Sequence, residues 1–477
     1  MTSDYPELLL YIGGEWVASD SQTVDVINPA TGATLGKLPL ASSAHVDRAL
    51  ELAEAAFATW SATPADERGA ILERAAELLL ERKEQAALAM TLEQGKPLAE
   101  SRAEVDGCVA LLRWSASAAQ EPAGRELPQR EGPRRLSVRK EPIGPVAAFS
   151  PWNFPASIAT RKVASGLAVG CPVIVKPAEE TPASFLAVAQ ALHDAGLPVG
   201  VLSVLYGNPA DVSSRLIDSP VIRKVSFTGS TRVGQLIGRQ AGEKVKPSVL
   251  ELGGHAPAVI FEDADLDAAL TLSLAAKTRN AGQICISPTR FFIADPVYDD
   301  FADAFTERYA KVKVGDGTTV GTEMGPLAHE RRVDAVAGLV RDAVDRGARL
   351  LAGGERIGNS GNFFAPTVLA DVPEEARIMS EEPFGPVAIL NRFKDREEVY
   401  GRANGTDYAL GAYVFTGSDD TAEEAASRID AGMVGINSFA IVHLDSPIGG
   451  RRMSGFGSEG GPEGLDAYRM NKFVSHY

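Results

Sequence analysis

Two residue types stand where they can do chemistry. Cys285 lies in Asn280-Ala-Gly-Gln-Ile-Cys-Ile-Ser-Pro-Thr289, a run of mixed polarity behind Gly282 and Gln283. A free cysteine more often packs as a small hydrophobe, so an apolar run is its ordinary setting. Upstream, Glu251 stands in Leu250-Glu-Leu-Gly-Gly254, a carboxylate ahead of a glycine pair. A thiol and a carboxylate in glycine-rich segments can serve as nucleophile and general base. Asn153 sits between aromatics in Pro151-Trp-Asn-Phe-Pro155. The two prolines stiffen this turn. A side-chain amide held there, away from water, can stabilise an oxyanion. Equally, it can satisfy the backbone of a rigid turn.

Two further segments suit a dinucleotide. In Val225-Ser-Phe-Thr-Gly-Ser-Thr-Arg-Val-Gly234 an apolar strand ends in Thr228-Gly229-Ser230 and a helix begins at once. Backbone N–H groups at such a helix start can meet a pyrophosphate, or the helix is simply capped. In Lys176-Pro-Ala-Glu-Glu-Thr-Pro182, Lys176 and Glu179 follow a buried strand. The carboxyl ends of strands are where α/β sheets bind ligands. A carboxylate there can accept hydrogen bonds from ribose hydroxyls, or it marks a solvated strand exit. The pattern Gly455-Phe-Gly-Ser-Glu-Gly460 matches the common dinucleotide fingerprint, but no strand precedes it. Too few residues follow for a βαβ unit, so it reads as a glycine-rich loop.

The elements that must position these residues follow from periodicity. Leu10–Val17 reads as a hairpin, and residues 44–60 and 66–92 as amphipathic helices, with Ile71, Ala75, Leu78 and Leu79 near helical spacing. Residues 121–141 are rich in Pro, Gly and charge and read as an extended arm or edge element. From 144 the texture alternates. Strands are expected at Pro145–Ser150, Pro172–Lys176, Val201–Leu205 and Lys224–Phe227. Helices are expected at about 156–168 and at Ser184–Ala195. A second series starts near Ala256–Phe261 and runs to about 440. This order predicts an α/β fold with doubly wound parallel sheets. A short helix at Gly464–Tyr468 and a strand at Lys472–Tyr477 close the chain. That strand needs a partner, which a second subunit can supply.

The totals bound the class. At 477 residues the chain holds two or three domains, at about 100–200 residues each. Apolar content is 45% and charged content 23%, as in soluble globular proteins. A net charge of −16 argues against nucleic acid as the main partner. Three cysteines make no even disulfide framework, so a reducing, cytoplasmic setting is expected. Cys171 reads as core and Cys108 as inert within a helix. No secretion signal, membrane-length apolar run or metal-ligand pattern is read in the sequence.

Seven segments in order carry a resemblance. Pro151-Trp-Asn-Phe-Pro, Lys176-Pro-Ala-Glu, Phe227-Thr-Gly-Ser-Thr, Glu251-Leu-Gly-Gly, Gly282-Gln-Ile-Cys285, Glu381-Glu-Pro-Phe-Gly-Pro386 and Ser446-Pro-Ile-Gly-Gly450 resemble the NAD(P)-dependent aldehyde dehydrogenase superfamily. The likeness covers nearly the whole chain and includes the 34-residue interval from Glu251 to Cys285. It implies an aldehyde dehydrogenase-like fold: a Rossmann-like cofactor domain, an α/β catalytic domain and a β oligomerisation arm. The expected division is 1–120 with 143–252 for NAD binding, 253–452 for catalysis, and 121–142 with 453–477 for bridging. Homodimers or homotetramers are expected, with no membrane partner.

The resemblance also implies roles. Cys285 matches the nucleophile, Glu251 the general base and Asn153 the oxyanion amide. Lys176 and Glu179 match residues that hold the adenosine ribose. Gly229 and Ser230 match pyrophosphate contacts. Glu382 and Phe384 match residues around the nicotinamide, and Trp152 and Leu252 complete the cofactor set. A free thiol, with a pKa of about 8.5, is mostly protonated at neutral pH, so the site is expected to favour the thiolate. The thiolate attacks an aldehyde; oxidation gives a thioester, which water resolves. NAD is expected from Glu179, whose carboxylate should repel a 2′-phosphate, with NADP possible.

Arg161 and Arg279 match arginines that bind a distal carboxylate in the succinate-semialdehyde dehydrogenase branch. Many other branches carry an aromatic residue at the first position. Val442, beside His443, stands where that branch has a serine, Ile448 replaces a common Phe, and Ser287 replaces a second Cys of some members. A carboxylate-bearing semialdehyde is therefore expected, larger or more apolar than succinate semialdehyde. Other readings are a general aliphatic or aromatic aldehyde dehydrogenase, a CoA-acylating relative, and a cysteine hydrolase pairing Cys285 with His443.

Overall fold

A computed structural model describes residues 5–18, 22–121, 124–129, 131–132 and 134–477. Pro122, Ala123, Arg130 and Pro133 of the expected arm, and Met1–Asp4 of the acidic N-terminus, lie outside the described residues.

Two large sheets carry the fold. The first runs in the order Glu15–Val17, Leu10–Ile12, Leu202–Val204, Val173–Lys176, Val146–Phe149, Lys224–Thr228, Ser248–Glu251, Gly455–Phe456. Its five central strands are parallel, and antiparallel pairs close both edges. Runs such as Val146-Ala-Ala-Phe149 and Val173-Ile-Val-Lys176 are buried throughout. A strand covered on both faces needs such a continuous apolar run. The chain builds outward from Val146–Phe149 through Val173–Lys176 to Leu202–Val204, then returns to lay Lys224–Thr228 on the other side. Strand order therefore reverses between Val146–Phe149 and Lys224–Thr228. At such a switch point the loops at the carboxyl ends part and leave a crevice. Trp152 and Asn153 follow one of these strands, and Gly229 and Ser230 the other.

The second sheet runs Arg349–Ala352, Thr367–Ala370, Val387–Phe393, Pro288–Ala294, Ala256–Ile260, Gly411–Phe415, Met433–Ile436. It is parallel apart from the Arg349–Ala352 edge. Apolar clusters lie on both of its faces, and a third, larger cluster surrounds the first sheet.

The structure corrects two readings and adds one helix. The helix expected over 66–92 is two, Ala65–Glu81 and Lys83–Gln94, because Arg82 leaves helical geometry at φ −99° and ψ 12°. A helix at Pro209–Asp218 escaped the pattern reading although Asn208 caps it, accepting from Ala210 N at 3.0 Å with a proline at its start. The terminal strand, Arg469–His476, is partnered within the chain. It pairs residue for residue with Arg135–Pro142, which also holds Gly124–Glu126. Among the described residues its outer edge pairs with no further strand, and its Met470 and Phe473 side chains are exposed. Among the described residues no helix is long and apolar enough to cross a membrane.

Candidate active site

Chain ends from both sheets meet at one crevice. A cavity of about 450 Å³ at the switch point is lined by Asn153 and Cys285. Six of the eight expected cofactor residues share that lining: Trp152, Gly229, Ser230, Leu252, Glu382 and Phe384. Lys176 and Glu179 stand outside it, paired at 2.6 Å at the end of their strand. Glu179 also accepts from Gly207 N at 3.0 Å, which fixes its carboxylate.

The glycine pair after Glu251 explains how the sheets come so close. A Cβ on Gly254 would lie 2.1 Å from the Cys285 carbonyl oxygen, and one on Gly253 would lie 2.8 Å from Glu382 Oε2. No side chain fits against the backbone at Gly254, and one at Gly253 would displace the Glu382 carboxylate. Gly254 N–H donates to Glu382 Oε1 at 3.1 Å, so this crossing also sets the Glu382 carboxylate.

Cys285 is presented by a strained turn. Asn280, Ala281 and Gly282 all take positive φ, at 48°, 52° and 69°. Left-handed geometry at a non-glycine residue costs of order 1–3 kcal/mol and persists only where surroundings impose it. Asn280 is held from three sides. Its N–H donates to Glu100 at 2.9 Å, its Oδ1 accepts from Gln94 Nε2 at 2.9 Å, and its Nδ2 donates to the Asn153 carbonyl at 2.9 Å. Asn153 Nδ2 donates to the Gln283 carbonyl at 3.0 Å. The two asparagines thus tie the Asn153 turn to the Cys285 turn.

Burial disfavours the charged forms of the acidic groups at this site. Burial pushes the Cys285 thiol up to about 12, and Glu382 and Glu251 add to the shift; the N–H groups of Cys285 and Ile286 work against it. The ligand-free protein therefore does not favour the thiolate, contrary to the sequence expectation. Burial also holds Glu251 well above the usual carboxylate range, with help from Glu459 and against Lys162 and Arg161. Glu382 is raised to about 7 by burial. Glu251 ends its strand almost fully buried, with Oε1 lacking a partner. It lines neither this cavity nor the next.

A second cavity, of about 660 Å³, brings together Arg161, Arg279, Val442 and His443. Phe154, the residue after Asn153, forms part of its wall. Arg161 Nη1 is buried without a hydrogen-bond partner. Burial works against its charge, while Glu459 and Glu251 support it. The Arg279 guanidinium lies 5.2 Å from the Phe154 ring centre.

Several site residues escaped sequence reasoning. His329 and Arg332 line the first cavity, where His329 Nδ1 and Arg332 Nε are buried without partners. Trp152 stands edge-on between His329 and Phe384, with ring centres 5.4 and 5.5 Å away. Lys162 and Glu459 form a buried ion pair beside Ser226, close enough to act on Glu251. A basic residue just past Asn153 and a Glu inside the rejected glycine-rich loop were the only signals.

The raised thiol sets an expected outcome. Cys108 and Cys171 are fully buried, so iodoacetamide should label Cys285 alone. In the ligand-free protein the rate should rise about tenfold per pH unit from 7 to 9, because the thiolate is the nucleophile. Peptide mass spectrometry reads both site and rate. A plateau below pH 8 would contradict the resting state described.

Comparison with known proteins agrees with this arrangement. The profile of the aldehyde dehydrogenase family matches residues 16–474. A glutarate-semialdehyde dehydrogenase of Pseudomonas putida is 42% identical over 97% of this chain and 96% of its own length. A 4-(hydroxymethyl)benzenesulfonate dehydrogenase of Comamonas testosteroni is 45% identical over 99% of this chain and 98% of its own. The crystal structure of a succinate-semialdehyde dehydrogenase from Burkholderia pseudomallei superposes with a TM-score of 0.97 at 44% identity, covering 100% of this chain and 98% of that one. The chain belongs to the aldehyde dehydrogenase family, oxidoreductases that act on aldehydes with NAD or NADP.

Proposed function

We propose that this enzyme oxidises an aldehyde bearing an anionic group at its far end, through a thioester on Cys285. Arg161 and Arg279 line the same cavity, and the Arg161 guanidinium has a buried Nη1 without a hydrogen-bond partner; together these carry the reading. A buried cation without a partner is costly unless a ligand anion completes it. Arginine suits that task because its planar fork matches a carboxylate or sulfonate. The relatives named for glutarate semialdehyde, succinate semialdehyde and a benzenesulfonate share such an anion. Leu111, Trp114, Val442 and Leu444 add apolar wall, which suits a body longer or more apolar than succinate semialdehyde.

The chain's own residues divide the work. The Cys285 sulfur attacks the aldehyde carbon and forms a thiohemiacetal. The Asn153 amide and the Cys285 N–H hold the developing oxyanion; losing one such donor costs about 10²–10³ in rate in comparable sites. When bound, the dinucleotide supplies the hydride acceptor. Its fit rests on the switch-point cavity, the uncapped start of the Thr231–Glu243 helix and the orphaned atoms of His329 and Arg332. Once the acyl group is on sulfur, Glu251 takes a proton from water. Its raised pKa makes it an effective base only as pH rises through that elevated value. The presence of Glu251 favours water over CoA as the acyl acceptor. A hydrolase would need His443 beside Cys285, yet His443 lines the other cavity.

The separate sheets support the division of 1–120 with 143–252 from 253–452, and the three-stranded arm supports 121–142 with 453–477 as a bridge. Gly455–Phe456 nevertheless adds to the first sheet. The open edge of Arg469–His476, with Met470 and Phe473 bare, supports a dimer or tetramer. Light scattering should therefore read at least twice the 50.4 kDa chain mass; a monomer would contradict this.

Steady-state kinetics test the substrate reading. Succinate and glutarate semialdehydes should surpass aldehydes of equal length without the anion. Arg161→Ala and Arg279→Ala should each raise the semialdehyde KM roughly 10–100-fold, since a hydrogen bond to a charged group contributes about 1.5–3 kcal/mol. NAD should surpass NADP because of the Glu179 carboxylate. Unchanged KM values, or equal use of both dinucleotides, would contradict the corresponding assignment.

A further inference from the structure

From the placement of one buried ion pair we infer that Lys96 and Glu104 are positioning residues for the oxyanion amide of Asn153. Lys96 follows the Lys83–Gln94 helix, and Glu104 lies on the Leu98–Ala118 helix. Neither belongs to the motifs that mark the site. The Lys96 side chain is fully enclosed, with its Nζ 2.7 Å from Glu104 Oε2. The same ammonium donates to the Asn153 carbonyl oxygen at 2.8 Å and stands 4.2 Å from the Phe154 ring centre.

Glu104 grips the other end of the same turn. Its Oε1 accepts from Ala156 N and Ser157 N, both at 3.0 Å, and from Ser157 Oγ at 3.3 Å. Those groups open the Ser157–Val169 helix, whose cap residue Ala156 has no side-chain acceptor to offer. A carboxylate is favourable at a helix start. The pair therefore clamps the turn on both sides of Phe154: Lys96 at Asn153, Glu104 at Ala156 and Ser157.

Stability alone does not account for such a pair. Burying two charges costs desolvation, and apolar replacement of a buried ion pair is often neutral or favourable. What the pair gives is a fixed backbone at Asn153. The clamp is itself held rigidly: Lys96 N donates to Gln94 Oε1 at 2.9 Å, and Leu98 N donates to the Gly317 carbonyl at 3.0 Å. Gln94 also holds Asn280 on the Cys285 turn. One short segment, Gln94–Leu98, thus registers the oxyanion amide against the nucleophile. A misplacement of about 1 Å at such a donor can cost on the order of 100-fold in rate.

The inference rests on the reading of Asn153 as oxyanion donor, and a double-mutant cycle separates the two. Lys96→Met with Glu104→Gln removes both charges of the pair together and keeps an acceptor for Ala156 and Ser157. Relative to wild type it should lower kcat about 10–100-fold. The KM for aldehyde and the calorimetric Kd for NAD should stay within about twofold. In the Asn153→Ala background the same pair of changes should cost less than about threefold, because the amide it positions is gone. Glu104→Gln alone should cost about 3–10-fold and behave the same way in the cycle, which serves if the double variant fails to fold. Losses that multiply in the Asn153→Ala background, or that fall on KM or Kd instead of kcat, would overturn the positioning role. An Asn153→Ala enzyme with unchanged kcat would overturn the oxyanion reading itself.

Discussion

Everything at this site depends on one steric constraint: the backbone crossing at Gly254, where a single added carbon would lie 2.1 Å from the Cys285 carbonyl oxygen. The first sheet delivers Glu251 and then crosses the second-sheet segment that carries Cys285. Only a chain without Cβ atoms can pass there. Because Gly254 N–H also donates to Glu382, the crossing sets the relative positions of Glu251, Cys285 and Glu382 together. The left-handed Asn280–Gly282 turn is the counterpart on the other chain. Its strain is absorbed by the hydrogen bonds Asn280 accepts from Gln94 and donates to Glu100 and the Asn153 carbonyl.

The electrostatics follow from that close packing. Burying Glu251, Glu382 and Cys285 raises all three pKa values, since burial penalises each charged form; neighbouring carboxylates add to the shift of Glu251 and Cys285. The resting site therefore holds its protons. Cationic groups offset this only in part: Lys162 and Arg161 act on Glu251, and Arg332 and Lys277 on Glu382. A cationic nicotinamide held by Glu382 and Phe384 would add positive charge beside these groups.

How much was legible in the sequence depended on distance along the chain. Cys285, Glu251 and Asn153 each sit in a short segment whose glycines or prolines betray a special backbone. The switch point followed from alternating apolar runs. Lys96 and Glu104 left no such trace, because they bond to groups 57 and 52 residues away, mostly on the main chain. The Lys162–Glu459 pair spans 297 residues, so nothing in either local segment pointed to the other. The break at Arg82 carries no glycine or proline, so periodicity ran through it. The partner of Arg469–His476 lies more than 300 residues upstream, and edge pairing between distant strands depends on tertiary placement that local propensity does not encode. The raised Cys285 pKa is likewise a property of the assembled cavity.

The central claim is that Cys285 carries the acyl group and Glu251 acts on the water that removes it. Rapid mixing of the Glu251→Gln enzyme with semialdehyde and NAD tests this most directly. The account predicts a burst of about one NADH per chain, near-zero turnover afterwards, and intact protein whose added mass maps to an acyl group on Cys285. Absence of the burst, or acyl mass on any other residue, would contradict it.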